Sequence, residues 1–173
     1  AGMFRANWPE VRLRLRFTEA PLSESLLDVD VVMWFGPSEP GRAWETHVVL
    51  DARLGLFASR AWIDRHGPPR TVEEIRPNDL FAWIMPGDSE ARLLTTAGDS
   101  IPVRPGLAST NVDLLHESAH LGFGVVWAPE GGLPVMPGRD PLVPLLAHEL
   151  GLPMPLRLAV PHSLAKVPRV RVI

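Results

Sequence analysis

The chain has 173 residues, of which 46% are hydrophobic and 21% are charged, so it is long enough to bury the core of one domain or of two small lobes. It contains no cysteine, which excludes disulfides, thiolate catalysis and zinc sites built on cysteine. Its 17 basic and 20 acidic side chains leave a net charge of -3 without a dense basic cluster, so direct nucleic-acid binding by this chain is not expected.

No apolar run approaches the length that a membrane-spanning helix needs. The first residues, 1–14, mix Arg5, Glu10 and Arg12 with apolar side chains and lack the continuous apolar segment of a secretory signal. We therefore expect a cytoplasmic location, although mature exported proteins also lack their signals.

The first half of the chain is predicted to form strands with short helices between them. Residues 11–17 alternate apolar and charged side chains with a period of two, which indicates a strand with one buried face. The run 29–35 is mostly apolar and of strand length, which favours burial on both faces. The other elements expected here are a short helix at 23–28, extended segments at 46–50 and 54–58, a helix from Ser59 to His66, and a helix opened by Thr71 and ending before Pro77.

The second half continues the alternation of strands and helices, which is typical of an α/β fold. Residues 107–130 form its clearest unit, because they read as strand, hydroxyl-rich turn, short helix, glycine pair and strand. The other strands expected are 80–85, a hairpin of 92–95 with 101–103, 142–145 and 155–160.

A zinc-peptidase pattern, HExxH, lies inside the helix of this unit. His116 and His120 have the spacing that places two zinc ligands on one helical face, with Glu117 between them to activate water. No third ligand is identified, and the longer HExxHxxGxxH pattern fails because position 123 is Phe. A zinc-dependent hydrolase is therefore one alternative function.

The same helix is also explained as an ordinary amphipathic surface helix. Its apolar side is predicted to hold Val112, Leu115, Ala119 and Gly122, widened by Leu114, Ser118 and Leu121. Its polar side is predicted to hold Asp113, His116, Glu117 and His120. Both imidazoles then face water, and the motif needs no metal.

A small-molecule site is predicted where strands end. Ser109, Thr110 and Asn111 follow a strand and open a helix, so hydroxyls, an amide and free N–H groups meet at the positive end of the helix dipole, which suits a carboxylate-bearing ligand. Plain helix capping is the alternative. Because open α/β sheets bind ligands at the carboxyl ends of their strands, the same rule adds six more candidates. They are Thr18, Glu19, Phe35, Gly36, Trp83 and Ile84.

No nucleophile elbow, Walker loop or catalytic triad is present in the sequence, so no catalytic residue, metal or cofactor is expected.

Five segments together resemble the effector-binding domain of LysR-type transcriptional regulators. They are WPEVRL at 8–13, DVDVV at 28–32, RLGLFAS at 53–59, the strand-turn-helix-strand unit at 108–129 and the closing stretch 161–171. The resemblance covers nearly the whole chain, and its order and spacing are more specific than any single piece.

The resemblance implies two Rossmann-like lobes of the type II periplasmic-binding-protein kind, with a small effector bound between them. Lobe I would comprise 1–52 and 158–173, and lobe II 53–157. Under it, Thr18 and Glu19 match the family's ligand-facing loop, and the turn 109–111 matches the polar turn of lobe II. The histidines of the zinc-like motif would be variable positions.

The resemblance also implies a homodimer or tetramer of the full-length regulator, without catalysis. DNA would be bound only through a helix-turn-helix segment that this chain does not show, and the family's first strand is apparently missing. A transport-type solute-binding protein has the same fold and is the second alternative.

Overall fold

Residue contacts divide the chain into two units, Ala1–Leu50 with Leu156–Ile173, and Asp51–Pro155. The computed structural model describes residues 6–18, 21–22, 29–85, 87–130 and 140–167. Within these ranges no helix has both the length and the apolar character needed to cross a membrane.

The secondary structure alternates strands with short helices. The strands are β1 (Val32–Phe35), β2 (Trp44–Leu50), β3 (Arg53–Ala58), β4 (Leu80–Trp83), β5 (Arg92–Leu94), β6 (Ser100–Pro102), β7 (Leu107–Ser109), β8 (Val125–Pro129), β9 (Val143–Leu145), β10 (Leu152–Pro153) and β11 (Leu156–Pro161). Within the described ranges, the α-helices with both ends defined are α1 (Arg60–His66) and α2 (Val112–His120), and 3-10 turns lie at Val72–Glu74 and Pro77–Asp79.

The first unit contains a three-stranded antiparallel sheet in the order β1-β11-β2. The central strand β11 alternates its side chains between two apolar clusters. Ala159 packs with Val32 and Trp34 on one face, and Leu158 and Val160 form the cluster on the other. This alternation follows from the period of two along a strand.

The second unit is built on a mixed sheet in the order β10-β3-β8-β4-β7, with β9 also paired to β3. Strands β8, β4 and β7 run parallel, whereas β3 is antiparallel to β8. Every residue of β4 and β8 is buried, as is usual for parallel strands in the middle of a sheet. Helix α2 packs against this sheet, mainly on β8. The mixed sheet with its helices confirms the predicted α/β class.

Helix α1 begins where the sequence predicts. The Ser59 hydroxyl accepts a hydrogen bond from the Trp62 backbone N–H at 3.3 Å, which satisfies one of the donors left free at a helix start. The expected capping box at Thr71 is wrong, because the Thr71 side chain makes no cap bond there and the segment closes as a single 3-10 turn. The hairpin of β5 with β6 is confirmed.

Two strand predictions in the first unit are wrong. Residues 11–17 belong to no strand, and the Phe17 side chain is 93% exposed, because an alternating sequence forms a strand only when a neighbouring strand accepts its hydrogen bonds. Strand β1 is not buried on both faces, since Met33 is exposed. The helix predicted at 23–28 lies outside the described residues.

Candidate ligand-binding site

The carboxyl ends of β4 and β7 lie side by side, with Trp83 opposite Ser109. The Ile84 N–H donates to the Ser109 carbonyl at 3.0 Å, so the pairing continues past the end of both strands. The Trp83 indole N–H donates to the Thr110 carbonyl at 3.2 Å. These bonds bring Trp83, Ile84, Ser109 and Thr110, four of the predicted site residues, to one edge of the sheet.

Asn111 joins this cluster as the N-cap of α2. Its Oδ1 accepts from the Leu114 N–H at 3.0 Å, and its own N–H donates to the Ser109 Oγ at 3.0 Å. The Asn111 oxygen therefore has the capping role that was the alternative to ligand binding, and the Ser109 hydroxyl accepts a bond within the turn before the helix. Ser109 is half-buried, whereas Thr110 and Asn111 are exposed at the positive end of the helix. Ligand binding by these residues stays a prediction.

The remaining predicted site residues belong to the first unit. Phe35 ends β1 and is half-buried, and Gly36 follows it in a buried position. Thr18 is exposed and lies outside any strand, and Glu19 lies outside the described residues. The structure therefore places Phe35 and Gly36 at the carboxyl end of a strand, as predicted, but gives no such strand to Thr18.

The predicted orientation of the zinc-like helix is confirmed for the centre of its buried side and wrong for the residues that flank it. Leu115 and Ala119 are fully buried, as expected, but Leu114 and Leu121 are exposed. His116 is half-buried, and its Nε2 is inaccessible to water and has no hydrogen-bond partner within the described part of the chain. His116 lies four residues after Val112 and four before His120, and all three are half-buried on one side of the helix. Packing of the helix against the sheet decides this rotation.

The surroundings of His116 favour its neutral form. Burial lowers the pKa of His116, a backbone hydrogen bond to Pro129 acts in the opposite direction, and the charge of His120 lowers the pKa further. Among the residues that the structure describes, no three His, Asp or Glu side chains converge as they would around a metal ion. The third protein ligand that a zinc hydrolase needs beside the two histidines is therefore not provided by the described residues.

We expect His116 to make the fold sensitive to acid. The unfolded chain titrates this imidazole near its ordinary pKa of 6.5, whereas the folded chain does so at lower pH. Between the two values only the unfolded state binds the proton, so the free energy of unfolding falls as the pH drops below about 6.5 and stops falling below the folded pKa. In His116→Leu, stability measured by urea unfolding should change less between about pH 7 and pH 5 than in the wild type. Equal slopes in the two proteins contradict this assignment.

Arg157 is a charged residue that the sequence-based prediction of the site omits. It lies on the central strand β11 opposite Trp34, and its side chain is 19% exposed. Its Nη1 donates to the Glu39 Oε1 at 3.1 Å. The available signal was an arginine inside the otherwise apolar strand predicted at 155–160.

The sequence model of the LysR substrate binding domain matches residues 1–173, the whole chain. The chain belongs to the LysR substrate-binding domain family. This assignment confirms the predicted effector-domain resemblance, and it favours a regulator domain over the zinc hydrolase and the transport protein.

Relatives of this LysR substrate-binding domain include the HTH-type transcriptional regulator CrgA of Neisseria meningitidis serogroup B (strain ATCC BAA-335 / MC58). CrgA is 23% identical over 150 residues, which cover 86% of this domain and 50% of CrgA. This domain thus spans about half the length of the curated relatives it matches.

Two solved structures have the same fold as this LysR substrate-binding domain. The structure of CrgA from Neisseria meningitidis has a TM-score of 0.71 at 21% identity and is matched over 99% of this chain and 58% of that one. The regulatory domain of AphB in Vibrio vulnificus has a TM-score of 0.69 at 16% identity, matched over 99% and 85%. These likenesses confirm the predicted periplasmic-binding-protein kind of fold.

Proposed function

We propose that this domain senses a small anionic effector and controls DNA binding by a helix-turn-helix segment of a full-length regulator. The family assignment supports the sensing role. The observation that carries the site is the parallel pair β4 and β7, whose carboxyl ends meet the N-terminus of α2 at residues 109–111. This is the position at which open α/β sheets take up ligands, and the helix dipole there attracts negative charge.

The two units of the chain have a role in the proposed sensing. We propose that they correspond to the two lobes predicted at 1–52 with 158–173 and at 53–157, and that an effector shifts the population of their arrangements. No catalysis is part of this proposal. A cytoplasmic location and a homodimer or tetramer of the full-length regulator complete it, and sedimentation velocity of that regulator tests the assembly.

The experiment is a thermal-shift screen of metabolite anions against the full-length regulator, followed by DNA-binding measurements with each compound that stabilises it. An effector present at a hundred times its Kd should add about 2.7 kcal/mol of stability. For a domain of 173 residues, that corresponds to a rise of roughly 5–10 °C in the Tm of this domain. A screen in which stabilising compounds leave DNA binding unchanged contradicts the sensing role.

Ser109→Ala tests the position of the site. The substitution removes a hydroxyl at the sheet edge, so we expect the effector Kd to rise by about three- to tenfold, the usual value of one hydrogen bond. Isothermal titration calorimetry measures this change.

Ser100→Ala is the matched control, because Ser100 is exposed on the hairpin strand β6. It should leave the effector Kd unchanged. Equal affinities of the Ser109 and Ser100 variants would show that the effector does not use the edge formed by β4 and β7.

A further inference from the structure

Arg157 carries a positive charge on the central strand β11, beside the end of β1. It pairs with Trp34 of β1 across the sheet. Trp34 is followed in the chain by Phe35 and Gly36, two of the predicted ligand-site residues. Arg157 projects on the same side of β11 as Ala159, because alternate residues of a strand share a face. The face that holds Arg157 is therefore the one packed around Val32 and Trp34.

The guanidinium is incompletely paired. Its Nε is inaccessible to water and has no hydrogen-bond partner within residues 6–18, 21–22, 29–85, 87–130 and 140–167. A guanidinium presents five N–H donors in a planar fork, and a buried donor without an acceptor destabilises the state that contains it. Carboxylates fit this fork with two parallel hydrogen bonds.

The carboxylate that now contacts Arg157 comes from a loop. Glu39 is 64% exposed, so water screens its attraction to the arginine. The loop is held beside the strand because the Trp34 indole N–H donates to the Ser38 carbonyl at 3.0 Å. Glu39 thus reaches Arg157 as a solvated, replaceable partner, while the arginine itself lies mostly buried.

We propose that Arg157 of the first unit is an anchor for a small organic carboxylate, and that Glu39 occupies this anchor until the ligand carboxylate replaces it. The inference goes beyond the proposed sensing function, because it assigns a carboxylate site to the first unit, whereas the proposed effector site lies at the edge of β4 and β7 in the second unit. It also assigns Glu39 a role in affinity, since removal of the internal carboxylate leaves the anchor open.

The test uses benzoate as the carboxylate probe and benzamide as its uncharged counterpart, followed by NMR at the Arg157 Nε–H signal of this chain. The signal is assigned by its loss in Arg157→Lys. We expect benzoate but not benzamide to shift it. Glu39→Gln should bind benzoate up to about fivefold more tightly than the wild type, because an exposed ion pair no longer competes.

Arg157→Lys should bind benzoate at least about tenfold more weakly, since lysine keeps the charge and loses the fork. Arg42→Lys, at an exposed position of the same unit, should bind like the wild type. The anchor is overturned if benzoate leaves the Arg157 signal unmoved, or if Glu39→Gln and the wild type bind it equally.

The two proposals fail in different ways. If benzoate does not bind at Arg157 while another compound stabilises the regulator and changes DNA binding, the anchor is overturned and the sensing function stands. Benzoate binding at Arg157 without any effector that changes DNA binding leaves the anchor intact and contradicts the sensing function.

Discussion

Leu115→Ala is expected to lower the free energy of unfolding by about 2–5 kcal/mol, because it removes a fully buried side chain and leaves a cavity. Leu115 lies on the face of α2 that packs against the sheet, and this helix supplies the N-cap turn of the candidate site. Urea unfolding followed by tryptophan fluorescence measures the loss.

Leu114→Ala is the matched control, since it is the same substitution one residue earlier in the same helix. Leu114 is 48% exposed, so its truncation should change stability by less than about 0.5 kcal/mol. If the two variants lose equal stability, Leu114 lies on the buried side of the helix, as the sequence predicts, and not on its exposed side.

Gly151→Ala is expected to destabilise the second unit by about 2–5 kcal/mol, because two costs coincide at this residue. Gly151 has a φ of 113°, which side chains with a Cβ rarely adopt, and a Cβ there would meet the Leu54 carbonyl oxygen of β3. The obstacle is backbone, so no side-chain rotation relieves it. The thermal midpoint of the variant measures the effect.

Gly98→Ala separates the conformational cost of a positive φ from the steric cost of the clash. Gly98 has a similar φ of 94°, but nothing lies within 4 Å of an added Cβ. Only the conformational cost of about 1–2 kcal/mol should remain. If Gly151→Ala is as stable as Gly98→Ala, the backbone before β10 moves away from the Leu54 carbonyl oxygen and relieves the clash.

Local patterns in the sequence were sufficient to predict much of the secondary structure of the second unit. The Ser59 cap, the buried strand β4 and the unit from β7 to β8 depend on interactions between residues close in the chain or on long apolar runs. The polar turn at 109–111 was also readable, because a helix start is marked by its own capping residues.

The wrong predictions concern which side of an element is buried and which segments of the chain pair with each other. Residues 11–17 have the alternation of a strand, yet a strand exists only where another chain segment accepts its hydrogen bonds. His116 lies on the half-buried side of α2, because packing against the sheet decides which side of the helix is buried. Neither fact is encoded within a short window of sequence.

The sequence by itself determined the α/β class, the family, and the strand ends and helix start from which a ligand site was inferred. Only the tertiary structure placed Trp83 beside Ser109, turned His116 inward, and paired Arg157 with Glu39, 118 residues away along the chain. The physical reason is that propensities and caps act between near neighbours, whereas burial and charge pairing depend on which distant segments the folded backbone brings together.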